Sequence, residues 1–279
     1  MYSAEKLNIQ EEIQMKKLSL LIGAFFLLII AAGCSTAATS SKGEESVMDS
    51  EITYSKQDIA AIAQQSENDN ENTEINTSPE LVYFGHASMM IHTENNKVIY
   101  VDPFADGDYS YAADLILVTH DHYDHNQLDK IKNRNDGCKI ITQNEALQNG
   151  EYQSFELPFV TVKAVEAGNN PNHDINSCVG YVLTFNNGKK VYISGDTSTT
   201  DQMSKLSDMN IDYAFFCCDG VYNMDIEEAA KCAKAVGAKH NIPYHNEPAT
   251  GELLDKELAQ KFDAPNKMIV LPGESITIE

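Results

Sequence analysis

The densest concentration of reactive side chains is Thr119-His120-Asp121-His122-Tyr123-Asp124-His125, where three of the chain's eight histidines and two aspartates fall within six residues. Imidazole nitrogens and carboxylate oxygens are the ligand set of zinc and similar borderline divalent cations. His120 and His122 are two apart, so on an extended loop both rings can turn to one side. Asp124 and His125 lie one step further along, placed to serve a second ion. A solvated polar turn that is histidine-rich by chance is the weaker explanation for so tight a cluster.

These side chains need a rigid support. The apolar run Leu115–Val118 immediately before them reads as a buried strand. Further candidate strands are Leu81–Phe84, Met89–His92, Val98–Asp102, Lys139–Thr142, Val160–Val165, Val179–Phe185 and Lys190–Ser194. Asp212–Cys217, His240–Pro243, Met268–Leu271 and Ser275–Ile278 follow, with Asn186-Asn187-Gly188 as a hairpin turn. Helices are expected at Gln127–Asn133, Gln143–Asn149, Thr199–Leu206, Ile226–Val236 and Gly251–Phe262, the fourth capped by Asp225. The pattern alone gives a mixed α and β domain. The histidine loop, Asp196, His245 and Asp102 each fall at or just past the C-terminal end of a predicted strand, where a sheet can deliver them to one rim.

His-x-His-x-Asp-His after a hydrophobic strand resembles the signature of the metallo-β-lactamase-fold hydrolase superfamily. Ser194-Gly195-Asp196-Thr197 and Ile242-Pro243-Tyr244-His245 resemble its later motifs, in the right order. Gly85-His86-Ala87-Ser88 with Val101-Asp102-Pro103 is similar to the branch that includes ascorbate 6-phosphate lactonase-like proteins. The resemblance covers about Leu81 to Glu279. It implies an α/β fold, an αββα sandwich with two sheets face to face and helices outside. It also implies two divalent ions, zinc first and manganese or iron as alternatives. His120 and His122 match ligands of the first ion, Asp124, His125 and His245 those of the second, and Asp196 the carboxylate bridging both. The remaining ligand of the first ion falls to His173, with water or Asn169 as the alternative. Asp102 is expected to hold the histidine loop by hydrogen bonding rather than to bind metal. His86 and Tyr222 are candidate substrate contacts, His86 equally a turn residue. His92 and His240 read as structural.

Ahead of the domain, Met15-Lys16-Lys17 opens the largely apolar run Leu18–Ala32, which ends in Ala31-Ala32-Gly33-Cys34. This describes a secretory signal, and the cysteine after small residues is similar to a bacterial lipobox. Residues 1–33 are therefore expected to be an N-terminal extension and lipoprotein signal, with cleavage before Cys34, lipid on its sulfur and an extracytoplasmic membrane location. A translation start at Met15 is the alternative for the first fourteen residues. The run is shorter than the ~20 apolar residues of a spanning helix. Residues 34–78 are polar and expected to be a flexible tether, with a helical turn at most over Ile59–Ala63. Residues 79–279 then form one domain.

The formal net charge is -22 with a single arginine, Arg134, which argues against a nucleic-acid partner and leaves few guanidinium groups for clamping phosphate. Of six cysteines none forms a Cys-x-x-Cys pair, so thiolate zinc sites and a disulfide framework find no support. The expected function is a membrane-tethered dinuclear metallohydrolase. Two cations lower the pKa of a shared water from ~15.7 to near ~7; a bridging hydroxide then attacks a small ester, lactone or amide, with Asp124 orienting it and taking up its proton. Phosphodiester hydrolysis on the same site and a non-catalytic metal-binding lipoprotein are the alternatives, and β-lactam hydrolysis is disfavoured.

Overall fold

A computed structural model describes residues 78–248 and 251–279. The signal up to Gly33, lipidation of Cys34, the tether before Ser78 and the turn at Ile59–Ala63 lie outside the described residues. Among the described residues no helix is long and apolar enough to cross a membrane.

Period-two alternation builds the first sheet. In β1 (Glu80–Gly85), β2 (Ser88–His92), β3 (Val98–Val101) and β4 (Ala113–Leu117), Leu81, Met89, Ile91, Ile99, Val101, Leu115 and Leu117 turn to one face. Phe84, Met90, Val98, Tyr100 and Ile116 turn to the other. Each fully buried aliphatic or aromatic side chain contributes roughly 1.5–3 kcal/mol, so a one-residue slip would forfeit both faces. β5 (Arg134–Ile141) adds the edge. After α1 (Gln143–Ala146) and the ribbon of β6 (Leu147–Gln148) and β7 (Glu151–Tyr152), the second sheet uses five consecutive strands: β8 (Ser154–Leu157), β9 (Val160–Glu166), β10 (Val179–Phe185), β11 (Lys190–Ile193) and β12 (Tyr213–Cys217). It is completed by β13 (His240–Tyr244), while β14 (Ser275–Thr277) returns to the first sheet.

The strand orders are β14-β1-β2-β3-β4-β5 and β13-β12-β11-β10-β9-β8. A single core cluster joins Met89, Ile91, Leu115 and Leu117 of one sheet to Val162, Tyr181, Leu183 and Phe215 of the other, so the sheets pack face to face. α2 (Ile226–Val236) covers the second sheet with Ala229, Ala230, Ala233 and Val236 buried. The Asp225 carboxylate accepts from the backbone N–H groups of Glu227 and Glu228, and Gly237, at a φ of +68°, ends the helix. α3 (Lys256–Gln260) follows β13. Within each sheet three neighbouring strands run parallel, β3-β4-β5 and β11-β12-β13. Their C-terminal ends carry the candidate ligands.

Several expected elements change. Gln127–Asn133 forms only the 3-10 turn Leu128–Lys130, with the Gln127 N–H bonded to Pro103 O and Ile131 buried in the outer core. Thr199–Leu206 gives way to a 3-10 helix at Met203–Met209. α1 stops at Ala146 because the chain turns back at Gly150, whose φ is +79°. The expected helix Gly251–Phe262 contracts to α3. Met268–Leu271 joins neither sheet; Lys267 makes an isolated bridge with Asn241. The sequence reading did not anticipate β8, whose residues alternate between exposed and half-buried.

Candidate metal centre

Strand ends position the site. β3 runs into Asp102, fully buried with a left-handed φ of +43°. Its Oδ1 accepts the Thr119 N–H at 2.8 Å, its Oδ2 accepts the Thr119 hydroxyl at 2.8 Å, and Oδ2 also faces His125 Nδ1 at 3.0 Å. The histidine loop after β4 is thereby fixed at both ends by one carboxylate. Val179 N–H donates to Thr119 O, tying the loop to the second sheet. There β11 leads into Ser194-Gly195-Asp196. A Cβ on Gly195 would stand 2.7 Å from Val179 O, and its φ is +62°, so the close approach of the two sheets requires glycine at this point. β13 delivers His245, buried and at a φ of +47°.

Three rings share one arrangement. Thr119 has given its only proton to Asp102, so its oxygen accepts from His120 Nδ1 at 3.1 Å. His125 Nδ1 pairs with Asp102, and His245 Nδ1 with Glu247 Oε2 at 2.9 Å. In each case Nε2 is buried and has no hydrogen-bond partner, and neither has Asp196 Oδ1. Anchored Nδ1 with a free, inward Nε2 is how metal-binding histidines are held, and orphaned buried polar atoms are otherwise uncommon.

Spacing supports the same reading. In a tetrahedral site with bonds of about 2.0–2.1 Å, neighbouring ligand atoms stand about 3.3–3.4 Å apart. From Asp196, His245 Nε2 lies at 3.2 Å, His173 Nε2 at 3.4 Å and His125 Nε2 at 3.5 Å. These separations exceed the about 2.7–2.9 Å of a charge-assisted hydrogen bond. Three groups could hold cations: His120 with His122 and His173, His120 with His125 and Asp196, and His86 with His125 and His245. The donor set of imidazoles and a carboxylate fits divalent cations.

Charge is distributed unevenly. Burial, with His125 and His173 close by, holds the His120 ring down at about 2, neutral with its lone pair free. Burial also lowers His173, against the pull of Asp196. For His125 burial acts downward too, but Asp196 and Asp102 outweigh it and hold the ring up at about 10. His245 is raised for the same reasons, by Asp196 and Glu247 against burial. Burial favours a protonated Asp196, yet His245 and His125 keep its carboxyl well below the usual range.

The structure brings together every predicted ligand. His122 is exposed at the cleft edge; His173 projects from the loop between β9 and β10, its N–H held by Asn170 Oδ1. Asn169 donates to Thr199 O and is engaged away from the cluster. Asp124 lies at the cleft with its side chain one-third exposed, its Oδ2 3.4 Å from His86 Nε2. His86 is 7% exposed, buried behind Asp124, and does not line the cleft. Tyr222 stands at the cleft mouth, 61% exposed. His240 stacks on Tyr213 and His92 meets Tyr111 edge-on, both outside the group. Sequence reasoning missed Glu247, two residues past a predicted ligand, and Asn223, whose Nδ2 donates to Asp196 Oδ2 at 2.9 Å and to Asp219 Oδ2 at 2.8 Å. Only the nearness of Asn223 to Tyr222 could have pointed to it.

Comparison with known proteins agrees with this geometry. The chain resembles a UPF0173 metal-dependent hydrolase from Pyrococcus furiosus, 27% identical over 226 residues covering 71% of this chain and 99% of that protein. A solved structure described as a metal-dependent hydrolase from Parabacteroides distasonis matches with a TM-score of 0.55 at 29% identity, covering 69% of this chain and 92% of that one. Igni18, a metallo hydrolase from Ignicoccus hospitalis, shares the fold with a TM-score of 0.56 at 23% identity, covering 73% and 99%. Residues 80–245, more than half the chain, match the sequence model of the β-lactamase superfamily domain. On that match, and with two parallel strand ends aiming histidines at one aspartate, the chain belongs to the metallo-β-lactamase superfamily.

Proposed function

We propose that the protein is a dinuclear metal-dependent hydrolase of small, uncharged esters, lactones or amides, tethered outside the cytoplasm through lipid on Cys34. The carrying observation is the trio of Nδ1-anchored histidines whose free Nε2 atoms converge near Asp196. The relatives' names as metal-dependent hydrolases support the reaction type. The tether rests on the sequence of residues 15–34.

His120, His122 and His173 would hold one cation, His125 and His245 the other, with Asp196 between them. Bound divalent cations, zinc first, supply Lewis acidity, which makes water nucleophilic near neutral pH and polarises the scissile carbonyl. Asn223 holds Asp196 through one oxygen and leaves Oδ1 free to face the cluster. Asp124 reaches the cleft from the histidine loop and stays ionised, since His86 and His125 outweigh the burial that would protonate it. It therefore accepts a hydrogen bond from the attacking water and directs it at the carbonyl. Asn172 Nδ2 donates to Tyr222 O, joining two loops beside the opening, and the exposed Tyr222 ring offers an apolar surface to the substrate.

The cleft, about 490 Å³, is lined by Asp124, Asp196, three histidines, Pro171, Asn172 and Tyr222, with no lysine or arginine. The guanidinium of Arg134 is occupied by Leu128 O. Beyond the cations themselves, the cleft offers a phosphate or carboxylate no cationic side chain to bind it. Metal analysis with a panel of lactone, ester, amide, phosphodiester and cephalosporin reporters tests the reading. Metal-dependent turnover confined to neutral lactones, esters or amides is expected; activity on phosphodiesters alone, or on nothing while two ions are bound, overturns it.

A further inference from the structure

His86 occupies the turn between β1 and β2 at a φ of +52°, a conformation few non-glycine residues adopt. The turn is clamped on both sides: the His86 N–H donates to Leu253 O at 3.2 Å, and the Tyr83 hydroxyl donates to His86 O at 2.8 Å. The strained backbone holds the ring in a fixed place, the kind of local strain that collects at functional sites. That place is against the second histidine cluster. The ring centroid is 3.9 Å from His245 and 5.1 Å from His125, with Phe104 edge-on at 4.9 Å behind.

Its polar atoms are poorly served by protein. Nδ1 is buried with no hydrogen-bond partner. Nε2 stands 3.4 Å from Asp124 Oδ2, the spacing of two ligands on one tetrahedral ion, about 3.3–3.4 Å. One ring nitrogen each from His86, His125 and His245 lies within 4.8 Å of the others. One nitrogen of each ring, His86 Nδ1 and the Nε2 atoms of His125 and His245, is buried without a partner, which is unfavourable unless something shared satisfies them.

We propose that His86 is a ligand of the second cation, completing a buried imidazole set with His125 and His245. Asp124 then stands at the cleft side of that cation, where the substrate enters. The proposal rests on the dinuclear reading above.

Long-range ¹H–¹⁵N spectra of the imidazoles test it directly in the wild-type protein, recorded metal-free and with one and two equivalents of Zn²⁺. Six of the eight histidines are expected to shift as metal-bound, His92 and His240 remaining unchanged, with the His86 signal identified by its absence in His86→Gln. In His86→Gln the second equivalent should bind at least ~100-fold more weakly, beyond the 10–100-fold typical of losing a supporting hydrogen bond. Asp124→Asn should leave the His86 shift in place, separating ligation from a role in merely holding Asp124. A wild-type spectrum with five shifted imidazoles and an unmoved His86 overturns the proposal while leaving two ions bound. Uptake of fewer than two equivalents instead overturns the dinuclear reading beneath it.

Discussion

The two histidine clusters differ in what stands behind them. In the first, His120 rests on a threonine hydroxyl, His122 is exposed, and His173 has a buried Nδ1 with no partner. In the second, His125 and His245 are buried and each backs onto a carboxylate, Asp102 or Glu247. A carboxylate behind an imidazole fixes its tautomer and raises its basicity. The second cluster is therefore the preorganised, more electron-rich one, and the first meets solvent through His122 alone. Asp196 stands between the two clusters, its oxygens 3.5 Å from His125, 3.4 Å from His173 and 3.2 Å from His245.

The largest perturbation removes that shared group. Asp196→Ala should abolish turnover, by more than the 10²–10³-fold typical of losing one stabilising donor, and lower the bound metal below two equivalents. Near-normal kcat with full metal content would break the comparison at its centre. Glu247→Gln should weaken only the second equivalent, about 10–100-fold in a competition titration; an equal loss at both positions would show that the carboxylate does not distinguish them.

The pH dependence of the metal-free protein sharpens the contrast further. His125 is raised to about 10 in the fold, so its contribution is complete below the unfolded value of about 6.5 and is lost as pH rises through about 10. His120 is lowered to about 2, so its contribution is complete above about 6.5 and is lost as pH falls toward about 2. Chelated wild-type protein should lose Tm at both extremes. His125→Gln should flatten the alkaline fall and His120→Gln the acid one, and identical profiles for the two variants would contradict the assignment. The smallest effect is expected at the rim, where Tyr222→Ala should raise KM several-fold on aromatic esters with kcat nearly unchanged, the mark of lost uniform binding. A fall in kcat with constant KM would move Tyr222 from binding into the chemistry.

The parts of the site written locally were the parts legible in the sequence. The loop His120–His125 announced itself because its donors are contiguous and follow an apolar run, and the paired faces of β1 to β4 showed in their alternation. Asp102 was legible as a support because it ends a strand. Glu247 was not, because an acidic residue followed by proline reads as a solvent-facing loop until β13 turns it inward. Asn223 lies 27 residues from Asp196, and nothing local signals that hydrogen bond. β8 and the 3-10 turn at Leu128–Lys130 escaped for a related reason, since tertiary packing and borrowed carbonyls decide short polar segments. His86 read equally as a substrate contact and as a turn residue, and it sits in a turn; its proximity to His245 brings together strands far apart in sequence.

The hydrogen bond from Asn172 to Tyr222 has a consequence for how this protein diversifies. The two loops it joins leave different strands of the second sheet, and neither contributes to the β4 or β13 ends that aim the other histidines. Insertions or deletions there would re-line the doorway but would also move His173 and Asn223, the neighbours of Asn172 and Tyr222 in the chain, while the β4 and β13 ends stayed in register. Substrate preference in such a molecule is therefore tied to the placement of His173 and of the amide that holds Asp196.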